Sequence, residues 1–136
     1  MKNARPSPIK SLFSFVLYAS LIFYVSSVDG RNLPDINKFH MDKAAHFAEY
    51  LIFAFLAMRT MDAFFPGMGV LKNFFFTLII VVIFSCSDEW RQLVVPNRTC
   101  SFFDLMFDFI GASTGILIFT YREEEREEAA NEVRRY

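Results

Sequence analysis

The sequence has few of the residues that build metal clusters, disulfide scaffolds or nucleic-acid surfaces. Only two of its 136 residues are cysteine, and Cys86 and Cys100 belong to no C-x-x-C pair, so no zinc signature is present. A disulfide between them across a helical hairpin is conceivable, but we expect two inert thiols in apolar surroundings. The 14 Lys and Arg residues form no basic patch, so we expect no nucleic-acid partner. There is no internal repeat and no cofactor-binding motif, and we predict no cofactor.

Apolar residues dominate what is present. They make up 54% of the chain, and Phe alone contributes 18 residues. A soluble protein of this length has too little interior to hide that much apolar surface, so lipid is the simpler solvent. We therefore predict an all-α integral membrane bundle.

Four mostly apolar segments are each long enough to cross a hydrocarbon core of about 30 Å as a helix. They cover residues 9–28, 42–65, 71–95 and 102–121. The first resembles a signal peptide, but it is too long for the usual apolar region of about 7–15 residues and is followed by a poor cleavage site, so we expect it to be retained. We predict one membrane domain over residues 1–121 and a charged tail over 122–136 that either extends the last helix or is disordered.

The distribution of basic residues predicts the orientation. With four spans, both termini and the 66–72 loop share one side of the membrane. That side carries nine basic residues: Lys2, Arg5, Lys10, Arg59, Lys72, Arg122, Arg126, Arg134 and Arg135. The opposite side carries five: Arg31, Lys38, Lys43, Arg91 and Arg98. By the positive-inside rule we predict that both termini and the tail lie in the cytoplasm. We expect the protein to reside in the plasma membrane.

Polar residues enter three of the predicted helices at matched depth, within about 10 Å of the outer surface. Their i, i+4 and i+7 spacing puts them on single helix faces, and Gly111-x-x-x-Gly115 would let another helix approach the same face of the fourth. We predict an outward-facing polar pocket with ten ligand-binding candidates: Asp42, Lys43, His46, Glu49, Asp88, Glu89, Gln92, Arg98, Asp104 and Asp108.

This set contains six acids and two permanently charged bases, and Arg91 beside it is a third, so the carboxylates need partners, protons or a bound cation. His, Asp and Glu can ligate a divalent ion, but no H-E-x-x-H or similar signature is present, and we predict no metal site. The alternative without a ligand is a buried hydrogen-bond network that fixes how the helices pack.

Three motifs resemble the VanZ-like membrane family. They are D-K-x-x-H-F-x-x-Y from Asp42, S-D-E-x-x-Q from Ser87, and P-N-R-x-x-S-x-x-D-x-x-x-D-x-x-G from Pro96. The resemblance covers about residues 29–118, with Asn97 where the family usually has a small Gly. It implies a multi-pass membrane protein of a family named after a factor in low-level resistance to the glycopeptide teicoplanin.

Two functions fit these residues. The first is binding of a cell-envelope or lipid-linked component, with membrane lipid as the other partner and Arg98 facing an anionic headgroup. The second is an intramembrane hydrolase or transferase, working by acid–base or metal-assisted chemistry on such a lipid, with His46, Glu89 and Asp108 as catalytic candidates. A scaffold without ligand is the remaining alternative.

Overall fold

The chain folds as four α-helices in the computed structural model, which describes residues 7–32, 40–98 and 100–135. The helices are α1 (Pro8–Ser26), α2 (His40–Phe64), α3 (Val70–Val94) and α4 (Phe102–Arg134), and a 3₁₀ turn, Gly30–Asn32, follows α1. These residues contain no strand, so the all-α prediction is confirmed. The last helix continues through the charged tail to Arg134. Of the two predicted alternatives, the tail therefore extends the helix.

Local sequence accounts for the helix ends. Pro8 opens α1, where its missing N–H costs nothing, and Gly69 takes a φ of 77° just before α3. Ser101 caps α4 by accepting from the Phe103 amide at 3.2 Å, and Asp104 Oδ2 accepts in return from the Ser101 amide at 3.0 Å. This is the reciprocal cap that the S-x-x-D spacing predicts.

Helix α2 lies at the centre of the bundle and packs against each of the other three helices. Its side chains Tyr50, Phe53 and Ala54 are completely buried, and the Phe53 ring stacks on Phe84 of α3 with centroids 4.5 Å apart. The core is completed by residues from every helix: Ile22, Met58, Val81, Ala112, Ile116 and Phe119. A helix in this position faces protein more than solvent or lipid.

The outer surface is apolar while much of the interior is polar. Large side chains such as Phe13, Ile83 and Leu117 are more than 60% exposed, whereas Asp88 and Asp108 are almost fully buried. Apolar side chains exposed on this scale are typical of a surface that lipid covers.

Three helices, α1, α3 and α4, are long and apolar enough to cross a membrane by length and composition. Helix α2 has the length, at 25 residues, but is not among them. It carries ionisable residues in its first turns; Lys43 and His46 are buried against the neighbouring helices, and Asp42 and Glu49 are half-buried.

Helices α2 and α4 approach each other most closely at two glycines. A Cβ atom on Gly111 would lie 2.2 Å from the Phe47 carbonyl oxygen, and one on Gly115 would lie 2.1 Å from that of Leu51. No larger residue fits without moving the backbone, so the predicted small-residue contact is present.

Candidate functional site

Polar side chains gather where α1 and α3 end and α2 and α4 begin, a region we call the polar end. Seven of the ten predicted site residues are at most 6% exposed there: Lys43, His46, Asp88, Glu89, Gln92, Asp104 and Asp108. They come from α2, α3 and α4, as the matched depths predicted. Asp42, Glu49 and Arg98 are half-buried at the edges of the same region.

The first layer of the polar end is an ion-paired group around Lys43. Its ammonium lies 2.9 Å from Asp42 Oδ2 and also contacts Asp104 Oδ1. Because the second oxygen of Asp104 closes the α4 cap, both oxygens of that carboxylate are engaged. One base thus neutralises much of the charge of two acids, and it ties the start of α2 to the start of α4.

The next layer is organised by Asp108. His46 Nδ1 lies 2.8 Å from Asp108 Oδ1, and the Ser85 hydroxyl donates to Oδ2 at 2.5 Å. His46 Nε2 is 3.9 Å from Asp104 Oδ1, which links this layer to the first. A carboxylate that bonds to an imidazole fixes the orientation of the ring, as in sites that bind metals or transfer protons.

Asp88 is held by neutral donors. The Ser26 hydroxyl donates to its Oδ1, and the Gln92 amide donates to its Oδ2 at 3.2 Å. Ser26 is the last residue of α1, a helix from which no site residue was predicted. Distance to the helix end gives no signal of this contact, because Asp88 lies six residues before the end of α3.

Glu89 differs from the other buried acids. It is 4% exposed, and neither carboxylate oxygen has a hydrogen-bond partner in the described part of the chain. The Cys100 thiol lies beside this carboxylate without a hydrogen bond of normal geometry, and burial together with Glu89 raises the pKa of Cys100 to about 12. Buried polar groups are seldom left unpaired in native proteins, so Glu89 calls for an explanation.

Arg98 binds the end of α1 rather than an acid of the site. Its Nη2 donates to the Val25 carbonyl oxygen at 2.9 Å, while its Nε is buried without a partner among the described residues. Glu49 lies within electrostatic range of both His46 and Arg98. The guanidinium therefore has one donor group engaged and another unused, at the edge of the acidic cluster.

The α3–α4 turn is locked onto the loop that follows α1. Gly30 N donates to the Pro96 carbonyl oxygen at 3.1 Å, and Asn97 Nδ2 donates to Asp29 Oδ1 at 2.9 Å. Hydrogen bonds from Arg31 hold the pKa of Asp29 below its usual range. Asn97 has a φ of 58°, a conformation that Asn tolerates better than most residues, so it can replace a Gly here.

Two groups of side chains at the polar end have the spacing of metal ligands. They are Asp42, His46 and Asp104, and His46, Glu89 and Asp108; within each, the potential ligand atoms lie within 4.8 Å of one another. Sequence motifs could not indicate either group, because the ligands come from different helices. The first group combines α2 with α4, and the second combines α2, α3 and α4. Cys86 and Cys100 are both free thiols.

A cavity of about 250 Å³ lies at the opposite end of the bundle, away from the polar end. Its lining includes Asp62 and Asn73 from α2 and α3, and Glu123 and Glu127 from α4. At the polar end, seven of the ten predicted site residues are at most 6% exposed, and the other three are half-buried.

Fold, buried polar end and apolar surface together define a helical membrane protein. A profile of the VanZ/LLP1 family matches residues 5–122, so the chain belongs to that family. No curated protein matches the chain, and no solved structure matches it. The family assignment extends beyond the three motifs at both ends and includes α1.

Proposed function

We propose that this protein crosses the plasma membrane four times, with both termini in the cytoplasm, and that the polar end binds the headgroup of a lipid-linked cell-envelope component. In this arrangement α2 is the fourth span, with its charges enclosed by α1, α3 and α4. The polar end then faces outward, where envelope precursors are used. The family's link to glycopeptide resistance is consistent with a ligand of this kind.

The observation that carries the proposal is the buried Glu89 carboxylate, which has no hydrogen-bond partner in the part of the chain that the structure describes. A network that only holds helices together would be expected to satisfy each of its buried groups, because an unpaired charge in an apolar interior costs several kcal/mol. Within residues 7–32, 40–98 and 100–135, the buried Glu89 carboxylate and the Nε of Arg98 are one acceptor and one donor without a hydrogen-bond partner. A polar ligand with both kinds of group would satisfy them.

Cysteine accessibility tests the orientation. Asn32→Cys and Gly67→Cys, each in a chain lacking Cys86 and Cys100, place one thiol at each end of the bundle; Asn32 is exposed, and a side chain at Gly67 meets nothing within 4 Å. A membrane-impermeant maleimide should label the first in intact cells and the second only after lysis. The reverse pattern, or labelling of both, would refute the proposed orientation.

Lipid binding tests the site. We expect the full chain in nanodiscs to retain a polyprenyl phosphate, and Glu89→Gln and Arg98→Gln to lose it at normal folded yield. Glu124→Gln, a change on the exposed part of α4, serves as the matched control. Unchanged lipid binding in both site variants would exclude the proposal, and loss of folded yield in every site variant would favour the scaffold.

An intramembrane hydrolase or transferase is the second candidate, favoured by the contacts of Asp108. This carboxylate orients His46 and accepts from Ser85, which is how a general acid is held in position. His46 would then act as the acid, Glu89 or Asp108 as the base and Arg98 as the charge stabiliser. Release of phosphate from a polyprenyl diphosphate by purified protein, abolished by His46→Gln, would separate an enzyme from a binder.

A further inference from the structure

We propose that His46, Glu89 and Asp108 bind one divalent transition-metal ion, and that Zn²⁺ is the ion this donor set fits best. The three side chains come from α2, α3 and α4, and all are buried. Their potential ligand atoms lie within 4.8 Å of one another. An ion there would join three helices of the bundle at a single point.

The state of Glu89 is what points to a ligand. An ionised carboxylate that is 4% exposed and has no hydrogen-bond partner among the described residues is costly unless it takes up a proton or a cation compensates it. Its oxygens share the region with His46 and Asp108, so the compensating charge would lie between these three. Asp108 is already oriented for this role, because Ser85 holds its second oxygen.

Lys43 distinguishes this group from the neighbouring one. In the group of Asp42, His46 and Asp104, the Lys43 ammonium contacts both carboxylates and supplies their positive charge. No lysine or arginine of the described chain forms an ion pair with Glu89 or Asp108 in this structure. The second group is therefore the one without a lysine or arginine partner among the described residues.

Charge and geometry both agree with an ion of this class. Two carboxylates and a neutral imidazole balance a 2+ charge, and a nitrogen and an oxygen bound to one ion at about 2.1 Å lie roughly 3.0–3.4 Å apart. His46 Nδ1 and Asp108 Oδ1 are separated by 2.8 Å, so a small movement would admit the ion. Imidazole with carboxylates favours Zn²⁺ over Mg²⁺ and Ca²⁺, which prefer all-oxygen sites.

Three protein ligands leave a coordination position open on a tetrahedral ion. A phosphate oxygen of a headgroup could fill it, which would reconcile an anionic ligand with the acidic surroundings. Binding of the phosphate to the ion rests on the proposed function, whereas the ion site itself does not. The ion site and lipid binding can therefore fail separately.

The experiment uses the purified full chain, stripped with a chelator and then reloaded with Zn²⁺. We expect about one Zn²⁺ per chain after gel filtration, and a higher melting temperature with the ion than without it. Glu89→Gln and His46→Gln should each lower the Zn²⁺ affinity by about 100-fold or more. Glu124→Gln, on the exposed part of α4 away from the polar end, should bind Zn²⁺ as the unmodified chain does.

Metal-free Glu89→Gln should also melt at a higher temperature than the metal-free unmodified chain, because the unpaired charge is gone. This keeps the test informative without any lipid assay. Absence of Zn²⁺ binding by the unmodified chain, equal binding by Glu89→Gln, or an equal loss of binding in Glu124→Gln would each overturn the site. Zn²⁺ binding without polyprenyl phosphate binding would overturn only the lipid proposal.

Discussion

His46 Nδ1 lies 2.8 Å from Asp108 Oδ1, and this contact joins α2 to α4 inside an apolar bundle. We expect a double-mutant cycle with His46→Gln and Asp108→Asn, in the presence of a chelator, to give a coupling of about 1.5–3 kcal/mol. The reason is that each single change leaves the other buried group without its charge-assisted partner. Reversible unfolding in mixed micelles measures the coupling.

Thr114→Ala is the control for that cycle, since the Thr114 hydroxyl bonds only to the Ile110 carbonyl of its own helix. It should change the free energy of unfolding by less than about 0.5 kcal/mol and add independently to either site change. Simple additivity of the His46 and Asp108 substitutions would show that the contact contributes little.

Gly111→Ala and Gly115→Ala should both destabilise the bundle. The added methyl groups would lie 2.2 Å and 2.1 Å from backbone oxygens of α2, so the two helices must separate, at a cost of about 1–3 kcal/mol or more. Gly67→Ala is the matched control, because nothing lies within 4 Å of its Cβ position. Melting temperatures of the three variants measure the difference, and equal values would contradict the close α2–α4 packing.

The architecture and the location of the polar end could be predicted from sequence because both depend on local patterns. Apolar runs set the approximate helix limits, and the depth of each ionisable residue follows from its distance to a helix end. Spacing also predicted the glycine contact of α4. Each of these features is encoded within one segment of the chain.

The hydrogen-bond partner of each polar side chain could not be predicted, because it depends on how the helices are rotated relative to each other. Arg98 donates to the Val25 carbonyl oxygen, a contact that no spacing in the sequence indicates. Ser26 looked like one more small hydroxyl in an apolar helix, and only the packing of α1 brings it to Asp88. The unpaired state of Glu89 likewise appears only in three dimensions.

Substitutions at Asn97 should distinguish backbone conformation from side-chain bonding in the α3–α4 turn. Its φ of 58° favours Asn or Gly, so Asn97→Ala should cost about 1 kcal/mol more than Asn97→Gly, although both lose the hydrogen bond to Asp29. Chemical unfolding of the two variants measures this. A Gly variant less stable than the Ala variant would show that the strained φ is unimportant.

Cys100 offers a pH-dependent readout of Glu89. Burial and the adjacent carboxylate raise the pKa of the thiol to about 12, so only about one thiol in ten thousand is a thiolate at pH 8. In a Cys86→Ser chain, maleimide labelling of Cys100 should therefore be slow and should accelerate about tenfold per pH unit below pH 12. Glu89→Gln removes the neighbouring negative charge, so it should lower the pKa and speed labelling by a constant factor across that range. Glu124→Gln should leave the rate unchanged. A Glu89→Gln rate equal to that of the parent at every pH would show that the carboxylate does not act on the thiol.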